Sequence, residues 1–335
     1  MTTWADLLTQ LIGGGDLSAD QAGWAMDQIL GGEATDVQVA GFAVALRAKG
    51  ETVDELAAMA DGMLARATAI ELDADAVDIV GSGGDRANTV NISTMAAIVA
   101  AAAGVKVVKH GNRAASSACG TADCLEALGL ALNVPPNRQA EVLDDCGIAF
   151  LFAPLYHPSF RYAATARREL GVKTTFNFLG PLTNPARPQA QAIGVADAAM
   201  APLVAGVLAG RGARGVVFHG GDGLDELTTT TDSDCWVIGA GLVRQTSLDP
   251  LDLGIPRSQK ADLVGGKPAH NADVARRVLA GEAGPIRDVV CLNAAAAALA
   301  HAGPDLDRPV AEQLAPHLDA VRQAIDSGRA AALLD

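Results

Sequence analysis

Val77-Asp78-Ile79-Val80, running straight into Gly81-Ser82-Gly83-Gly84-Asp85, is the stretch that sets the fold. A short apolar run ending on clustered glycines reads as a buried parallel strand that turns toward a helix. The pattern recurs where Val105-Lys106-Val107-Val108 runs into Lys109-His110-Gly111-Asn112-Arg113. Between the two lies Asn91-Ile92-Ser93-Thr94, at the expected start of a helix. Glycine lets backbone N–H groups approach an anion with no Cβ in the way, and a following helix N-terminus favours the same charge. Two such turns on neighbouring strands, one carrying Lys109 and Arg113, point to a phosphorylated ligand held between them.

Outward from this stretch, the rhythm of strand, glycine loop and helix continues with strands expected at 148–152, 190–195 and 215–218. Helices are expected at 94–103 and 121–128, with Gly104 and Gly129 just past their ends. The alternation predicts an α/β domain with a mostly parallel central sheet flanked by helices. Residues 1 to about 70 instead predict four helices and no strand. Trp4, Leu7, Leu8 and Leu11 share one helical face. Three capping boxes follow: Ser18-Ala19-Asp20-Gln21, Thr35-Asp36-Val37-Gln38 and Thr52-Val53-Asp54-Glu55. Glycines at 13–15, 31–32 and 50 close segments. The expected division is a small helical domain over 1–72 and a larger α/β domain over 73–335. The stretch 171–188, rich in Thr, Asn, Pro and Gly, breaks the alternation and reads as a functional crossover or hinge. Its surroundings, about 165–190, are expected to pack with the helical domain or form the hinge. The tail from 271 to 334 reads as mostly helical.

Half of the 335 residues are hydrophobic but only 4% are aromatic, so Ala, Val and Leu must build the core. A net charge of −14 argues against a general nucleic-acid binder, which needs a basic face. It does not exclude a small anionic substrate, because a few local cations or a metal dominate one cleft. The cysteines (Cys119, Cys124, Cys146, Cys235, Cys291) are odd in number and form no CxxC pair, which disfavours both zinc and a disulfide framework. With no basic leader at Met1-Thr2-Thr3-Trp4 and an apolar run at 96–103 too short for a bilayer, a cytoplasmic protein is expected.

Each motif carries a bland reading beside the chemical one. Gly81–Asp85 is no dinucleotide fingerprint: Arg86 stands near the third glycine position, and the next strand ends in Lys109 rather than an acid. Taken alone it is either an ordinary tight turn or an anion loop. Asn91, Ser93 and Thr94 favour the second, Ser93 either donating to phosphate or lending its oxygen to a metal. The run from Lys109 to Ser117 holds more polar donors than a structural loop requires. His110 either orients a ligand, makes a structural hydrogen bond or moves a proton. Asp222-Gly223-Leu224-Asp225-Glu226 is either solvated charge or a magnesium site at a strand's carboxyl end. Arg167 and Arg168 end a helix, where one of them either serves the macrodipole or faces a substrate carboxylate. His157, His219, His270, His301 and His317 show no metal-ligand spacing.

Together, GSGGD with NIST, KHGNRAASSACGTADCLEALG, FAPLYHPSFRYAATARRELG, TFNFLGPLTNP and GDGLDE resemble the anthranilate phosphoribosyltransferase family over nearly the whole chain. The resemblance implies transfer of a phosphoribosyl group from phosphoribosyl pyrophosphate to anthranilate, with Mg²⁺, in tryptophan biosynthesis. It also implies a homodimer through the helical part. It assigns phosphoribosyl pyrophosphate to Gly81, Gly84, Asp85, Thr89, Asn91, Ile92, Ser93 and Thr94, and to Lys109, His110, Gly111, Asn112, Arg113, Ala114, Ala115, Ser116, Ser117 and Thr121. It assigns anthranilate to Gly81, Asn112 and Arg167, with His110 and Pro181 beside them, and magnesium to Ser93, Asp225 and Glu226. No residue is singled out as a catalytic base. Ser82 departs from the commoner threonine, and Ala118 stands where a basic residue is frequent. Two other classes share the fold. Pyrimidine nucleoside phosphorylases would present a different lysine-serine phosphate motif. A paralogous nucleic-acid-binding group needs basic surfaces, against which the charge of −14 speaks.

Overall fold

The computed structural model describes residues 2–114 and 117–335. The chain opens with α1 (Trp4–Ile12), α2 (Ala19–Gly31), α3 (Asp36–Lys49) and α4 (Val53–Ala65). All three capping boxes form, with Ser18, Thr35 and Thr52 each accepting the N–H of Gln21, Gln38 and Glu55 in turn. Glu55 does more than cap: fully buried, its carboxylate also accepts the Leu17 N–H at 2.7 Å and pairs with Lys49 at 2.7 Å. Two loops are thereby pinned to one helix start.

The strands are β1 (Val77–Gly81), β2 (Val107–Gly111), β3 (Ile148–Phe152), β4 (Ala190–Gly194), β5 (Arg214–Gly220), β6 (Ser233–Gly239) and β7 (Leu242–Leu248). They form one sheet in the order β3-β2-β1-β4-β5-β6-β7. The pairs from β3 to β5 are parallel, while β6 and β7 add on antiparallel. Between β1 and β2 runs α5 (Ile92–Ala102), and between β2 and β3 run α6 (Thr121–Leu128) and α7 (Gln139–Cys146). After β3 come α8 (Ala153–Tyr156) and α9 (Ala164–Leu170), and α10 (Ala201–Gly210) joins β4 to β5. The tail is α11 (Pro268–Leu279), α12 (Pro285–Ala302), α13 (Val310–Asp326) and α14 (Arg329–Leu334).

Two sequence expectations are corrected here. β2 starts at Val107 rather than 105 and runs through Gly111, so Lys109 and His110 lie inside the strand, opposite Phe150 and Leu151 of β3. The β6–β7 hairpin was not foreseen; it turns on Ala240 (φ 51°) and Gly241 (φ 75°), the left-handed pair a tight hairpin needs.

One apolar cluster fills the face covered by α5 and α12, including the alanine run of α12. The other face packs on α10 and on the helical bundle, so residues 1–72 do not close a core of their own. Phe176, Phe178, Leu179 and Leu182 of the 171–188 crossover are buried in that second cluster, each stabilising the contact by about 1.5–3 kcal/mol. Polar ties reinforce it: Thr175 Oγ1 donates to Glu51 Oε1 at 2.6 Å, and Arg47 pairs with both Glu51 and Asp197. Among the described residues no helix is long and apolar enough to cross a membrane.

Candidate active site

In an open α/β sheet, ligands bind outside the carboxyl ends of the strands where successive connections leave in opposite directions. Here that point is the crevice between β1 and β4, which the strand order places side by side. Gly81 and Gly194 end these strands in register with each other. Asp225 packs against both: a Cβ on Gly81 would stand 2.2 Å from Asp225 Oδ2, and one on Gly194 would stand 1.7 Å from the Asp225 carbonyl oxygen. The two glycines thus make room for the acid loop: at Gly194 the clash is with backbone and no larger residue fits, while at Gly81 the Asp225 carboxylate would have to turn aside.

A cleft of about 800 Å³ opens above this point. Its lining includes Gly81, Gly84, Asp85, Thr89, Asn91, Ile92, Ser93, His110, Gly111, Asn112, Arg113, Ala114, Ser117, Thr121, Arg167, Pro181, Asp225 and Glu226. Eighteen widely separated positions read from the sequence therefore converge on one surface. Ala115 and Ser116 lie outside the described residues. Thr94 and Lys109 are not on that lining. Thr94 is buried in α5, its hydroxyl donating to Thr121 Oγ1 at 3.4 Å.

Lys109 is only 1% exposed and lies beneath the cleft floor. Its ammonium donates to the Ile79 carbonyl and, at 3.3 Å, to Ser93 Oγ. Burial lowers its pKa, opposed by the charges of Asp78, Glu226 and Asp225. The expectation of a lysine on a loop at the strand end is thus corrected to a buried cation facing acids. The physical reason is strand alternation, which sends Lys109 inward and His110 to the cleft side.

The acid loop is strained electrostatically. Burial, and then the nearby Asp85 charge, push the Asp225 carboxyl up to about 7, although the Gly83 N–H donates to it at 2.6 Å. Glu226 is raised well above its ordinary value by burial and by Asp225, with Lys109 and the Ser93 backbone N–H opposing. Among the described residues no three His, Cys, Asp or Glu side chains converge as a ligand group. Two buried carboxylates beside a hydroxyl and an open cleft instead fit a hard cation that keeps waters and takes phosphate oxygens as its remaining ligands.

The other end of the cleft is apolar and cationic. Arg167, on α9, stacks its guanidinium 4.8 Å from the centre of the Phe160 ring. Burial alone lowers its pKa, with no acid offsetting the cost. A guanidinium without an ion-pair partner among the described residues, facing a cleft, suits a planar carboxylate, which it meets with two parallel N–H bonds. His110 is held neutral, its pKa lowered to about 3 chiefly by burial and then by His157, and its Nδ1 lies 3.3 Å from the Gly180 carbonyl. That favours a structural, non-titrating ring over an acid or base at neutral pH. Arg113 is largely committed elsewhere, bonded to Asp123 at 2.9 Å and Glu126 at 2.8 Å.

Sequence reasoning missed Phe160, His157 and Asn177, which also line this end. The signal was present for His157, which follows the carboxyl end of β3 as the other loops follow theirs. It also missed Asp78 and Asn184 under the floor. The fully buried Asp78, pushed up to about 6 by burial, accepts the Asn184 amide at 2.9 Å and the His110 N–H at 3.2 Å.

A helical bundle joined to an α/β domain, with an acid-lined cleft at the strand ends, is the architecture of a class of glycosyl transferases. The profile described as "Glycosyl transferase family, helical bundle domain" matches residues 5–67, and "Glycosyl transferase family, a/b domain" matches 73–331. Within that class, the chain belongs to the anthranilate phosphoribosyltransferase family. It is 57% identical over 335 residues to the anthranilate phosphoribosyltransferase of a Nocardioides species, covering 100% of this chain and 98% of the relative. It is 57% identical to that of Streptomyces griseus, covering 99% and 94%. Among solved structures, the Thermus thermophilus enzyme superimposes with a TM-score of 0.90 at 42% identity, covering 98% and 97%. The Saccharomyces cerevisiae enzyme in complex with PRPP (phosphoribosyl pyrophosphate) and Mg gives 0.88 at 26%, covering 99% and 95%.

Proposed function

We propose that this cleft transfers the 5-phosphoribosyl group of phosphoribosyl pyrophosphate to the amine of anthranilate, releasing pyrophosphate, in tryptophan biosynthesis. The observation that carries this reading is the polarity of the cleft. Glycine loops and a buried acid pair occupy the strand ends, and Arg167, stacked on an aromatic ring and unpaired among the described residues, stands on the opposite wall.

In this reading the loops 81–94 and 111–121 hold the phosphates through backbone N–H groups and the start of α5. Asn112 and Arg167 take the anthranilate carboxylate, with Pro181 and Phe160 against its ring. Asp225, Glu226 and Ser93 would hold magnesium, which when bound supplies positive charge at the departing pyrophosphate. Lys109, below the floor, offsets the two carboxylates from behind. As the C1–O bond to pyrophosphate breaks, positive charge grows on the ribose carbon, as at other glycosidic centres. The aromatic amine is already neutral at pH 7, so its lone pair forms the N–C1 bond once it is aimed, and its surplus proton leaves afterwards to water. Positioning and electrostatics therefore carry the rate, in keeping with a neutral His110.

The small helical domain spans 1–72 and the α/β domain 73–335 in this reading, with the crossover joining them around the acceptor end. A homodimer forms through α1 and α3. The testing experiment mixes the protein with anthranilate, phosphoribosyl pyrophosphate and Mg²⁺ and follows anthranilate fluorescence. Loss of fluorescence that requires all three additions is expected; none with any combination would overturn the reading.

A further inference from the structure

Pyrophosphate and a 5-phosphate bring several negative charges into the cleft, and the cations read from the sequence are poorly placed to meet them. Lys109 is beneath the floor, Arg113 is paired with Asp123 and Glu126, and Arg167 stands on the opposite wall. Arg161, also on the lining, is stacked on the Tyr162 ring at 4.8 Å. Ala118 has no charge to offer.

One further cation reaches the first glycine loop from outside the motifs. Lys173 follows the left-handed Gly171 (φ 62°) that ends α9. Its stem crosses Gly84: Cε lies 3.0 Å, and Nζ 3.6 Å, from the point where a Cβ on Gly84 would stand. Gly84 holds φ 82°, so the position is built for a residue without a side chain, and the lysine stem occupies the space left. The side chain is half-buried, and its ammonium makes no ion pair or hydrogen bond among the described residues. Its backbone position is fixed. Thr174 donates its N–H to Asn177 Oδ1 at 3.0 Å, and Thr175 is tied to the buried Glu51 of the helical bundle.

Taking the cleft as the phosphoribosyl pyrophosphate site, we propose that Lys173 is a further substrate-binding residue, whose ammonium takes a phosphate oxygen of the donor above the Gly83–Asp85 loop. A compact ammonium on a flexible stem suits this task, since it meets one phosphate oxygen without the fixed fork of an arginine. The crossover then serves both substrates, with Pro181 at the acceptor end and Lys173 at the phosphate end. Its anchoring to Glu51 makes the helical bundle a support for donor binding.

Calorimetry with phosphoribosyl pyrophosphate and Mg²⁺, without anthranilate, tests this on the parent, Lys173→Ala, Lys173→Gln and Lys173→Arg. Loss of one charged hydrogen bond at a half-exposed site predicts about tenfold weaker binding for Ala and Gln, and a change within about threefold for Arg. The KM for anthranilate and the ligand-free thermal midpoint are expected to stay at the parent's values. Inorganic pyrophosphate and ribose 5-phosphate as separate probes identify which phosphate is met, the affected one losing affinity in Lys173→Gln. Binding by Lys173→Gln equal to the parent overturns the proposal. So does Lys173→Arg binding as weakly as Lys173→Ala with lowered midpoints for both, because the stem would then be acting as packing. A parent that binds no phosphoribosyl pyrophosphate would instead overturn the reading of the cleft itself.

Discussion

Asp225 and Glu226 show how a site stores a cost that its ligands relieve. Both carboxyls are lifted by burial, Asp225 to about 7 from an ordinary 3.8. A folded pKa above the unfolded one favours the folded state below pH 3.8 and withdraws that advantage as the pH rises through about 7. Asp225→Asn removes the titration while keeping an oxygen to accept the Gly83 N–H. Its ligand-free thermal midpoint should match the parent at pH 4 and exceed it by roughly 2–4 °C at pH 8. The same change should cost at least ~10²-fold in turnover at saturating Mg²⁺, as removing a preorganised electrostatic group does elsewhere. Scanning calorimetry at the two pH values, together with steady-state rates, checks both. A variant that is no more stable at pH 8 would show that the acid pair is not strained. Arg167 makes the complementary case. Losing a charged, two-bond contact from a half-buried wall costs roughly 1.5–3 kcal/mol. Arg167→Ala should therefore raise the KM for anthranilate by about one to two decades and leave that for phosphoribosyl pyrophosphate nearly unchanged. A parallel rise in both constants would place Arg167 in the domain packing instead.

At the scale of elements, the local rules that were legible are those a short window of sequence satisfies by itself. The boxes at Ser18, Thr35 and Thr52 need only four consecutive residues, and each forms as the spacing predicts. Lys109 was legible as a cation near the glycine loops but not as a buried one. Its inward direction depends on β2 continuing through Gly111, which follows from pairing with β3 and not from the run itself. The β6–β7 hairpin was illegible for a related reason. β7 is largely exposed edge strand with Arg244, Gln245 and Thr246, so neither alternation nor an apolar run marks it. The convergence of the two glycine loops was legible because each carries its own donors. The tight contact inside the second loop was not. A Cβ on Gly120 would stand 2.3 Å from the Ala114 nitrogen and 2.6 Å from the Arg113 carbonyl carbon, both backbone atoms that no rotamer change relieves. Gly120→Ala should thus displace the backbone at Arg113 and Ala114 and weaken phosphoribosyl pyrophosphate binding by roughly tenfold or more, in line with losing one or two charge-assisted donors. Calorimetry reads the affinity and circular dichroism the fold. Unweakened binding with an intact fold would remove this loop from the site.

At the scale of the molecule, one duty of the helical bundle is visible within the chain and a second is proposed. Its inner face is buried against the sheet and the crossover. On its outer face, Ile12 is 79% exposed, Val37 81% and Val44 44%. These residues are not scattered. Gly41 of α3 faces Leu8 of α1, with 3.7 Å from its Cβ position to the Leu8 methyls. Val37 and Val44 lie one turn to either side of Gly41, and Ile12 lies one turn beyond Leu8, so all three exposed residues fall along the α1–α3 seam. An apolar stripe on two packed helices is the kind of surface a two-fold interface buries, because the same patch serves both copies. Val37→Asp with Val44→Asp would place like charges against each other across such an axis, at a cost far above that of losing the valines. The parent should elute as a dimer in light-scattering chromatography and the double variant as a monomer. The residues described on the cleft lining all come from one chain, so the monomer should retain the parent's KM for both substrates if the bundle still folds. A double variant that stays dimeric would move the interface to another face. A monomeric one with lost phosphoribosyl pyrophosphate affinity would show that the second copy steadies the Glu51–Thr175 tie, and through it the crossover.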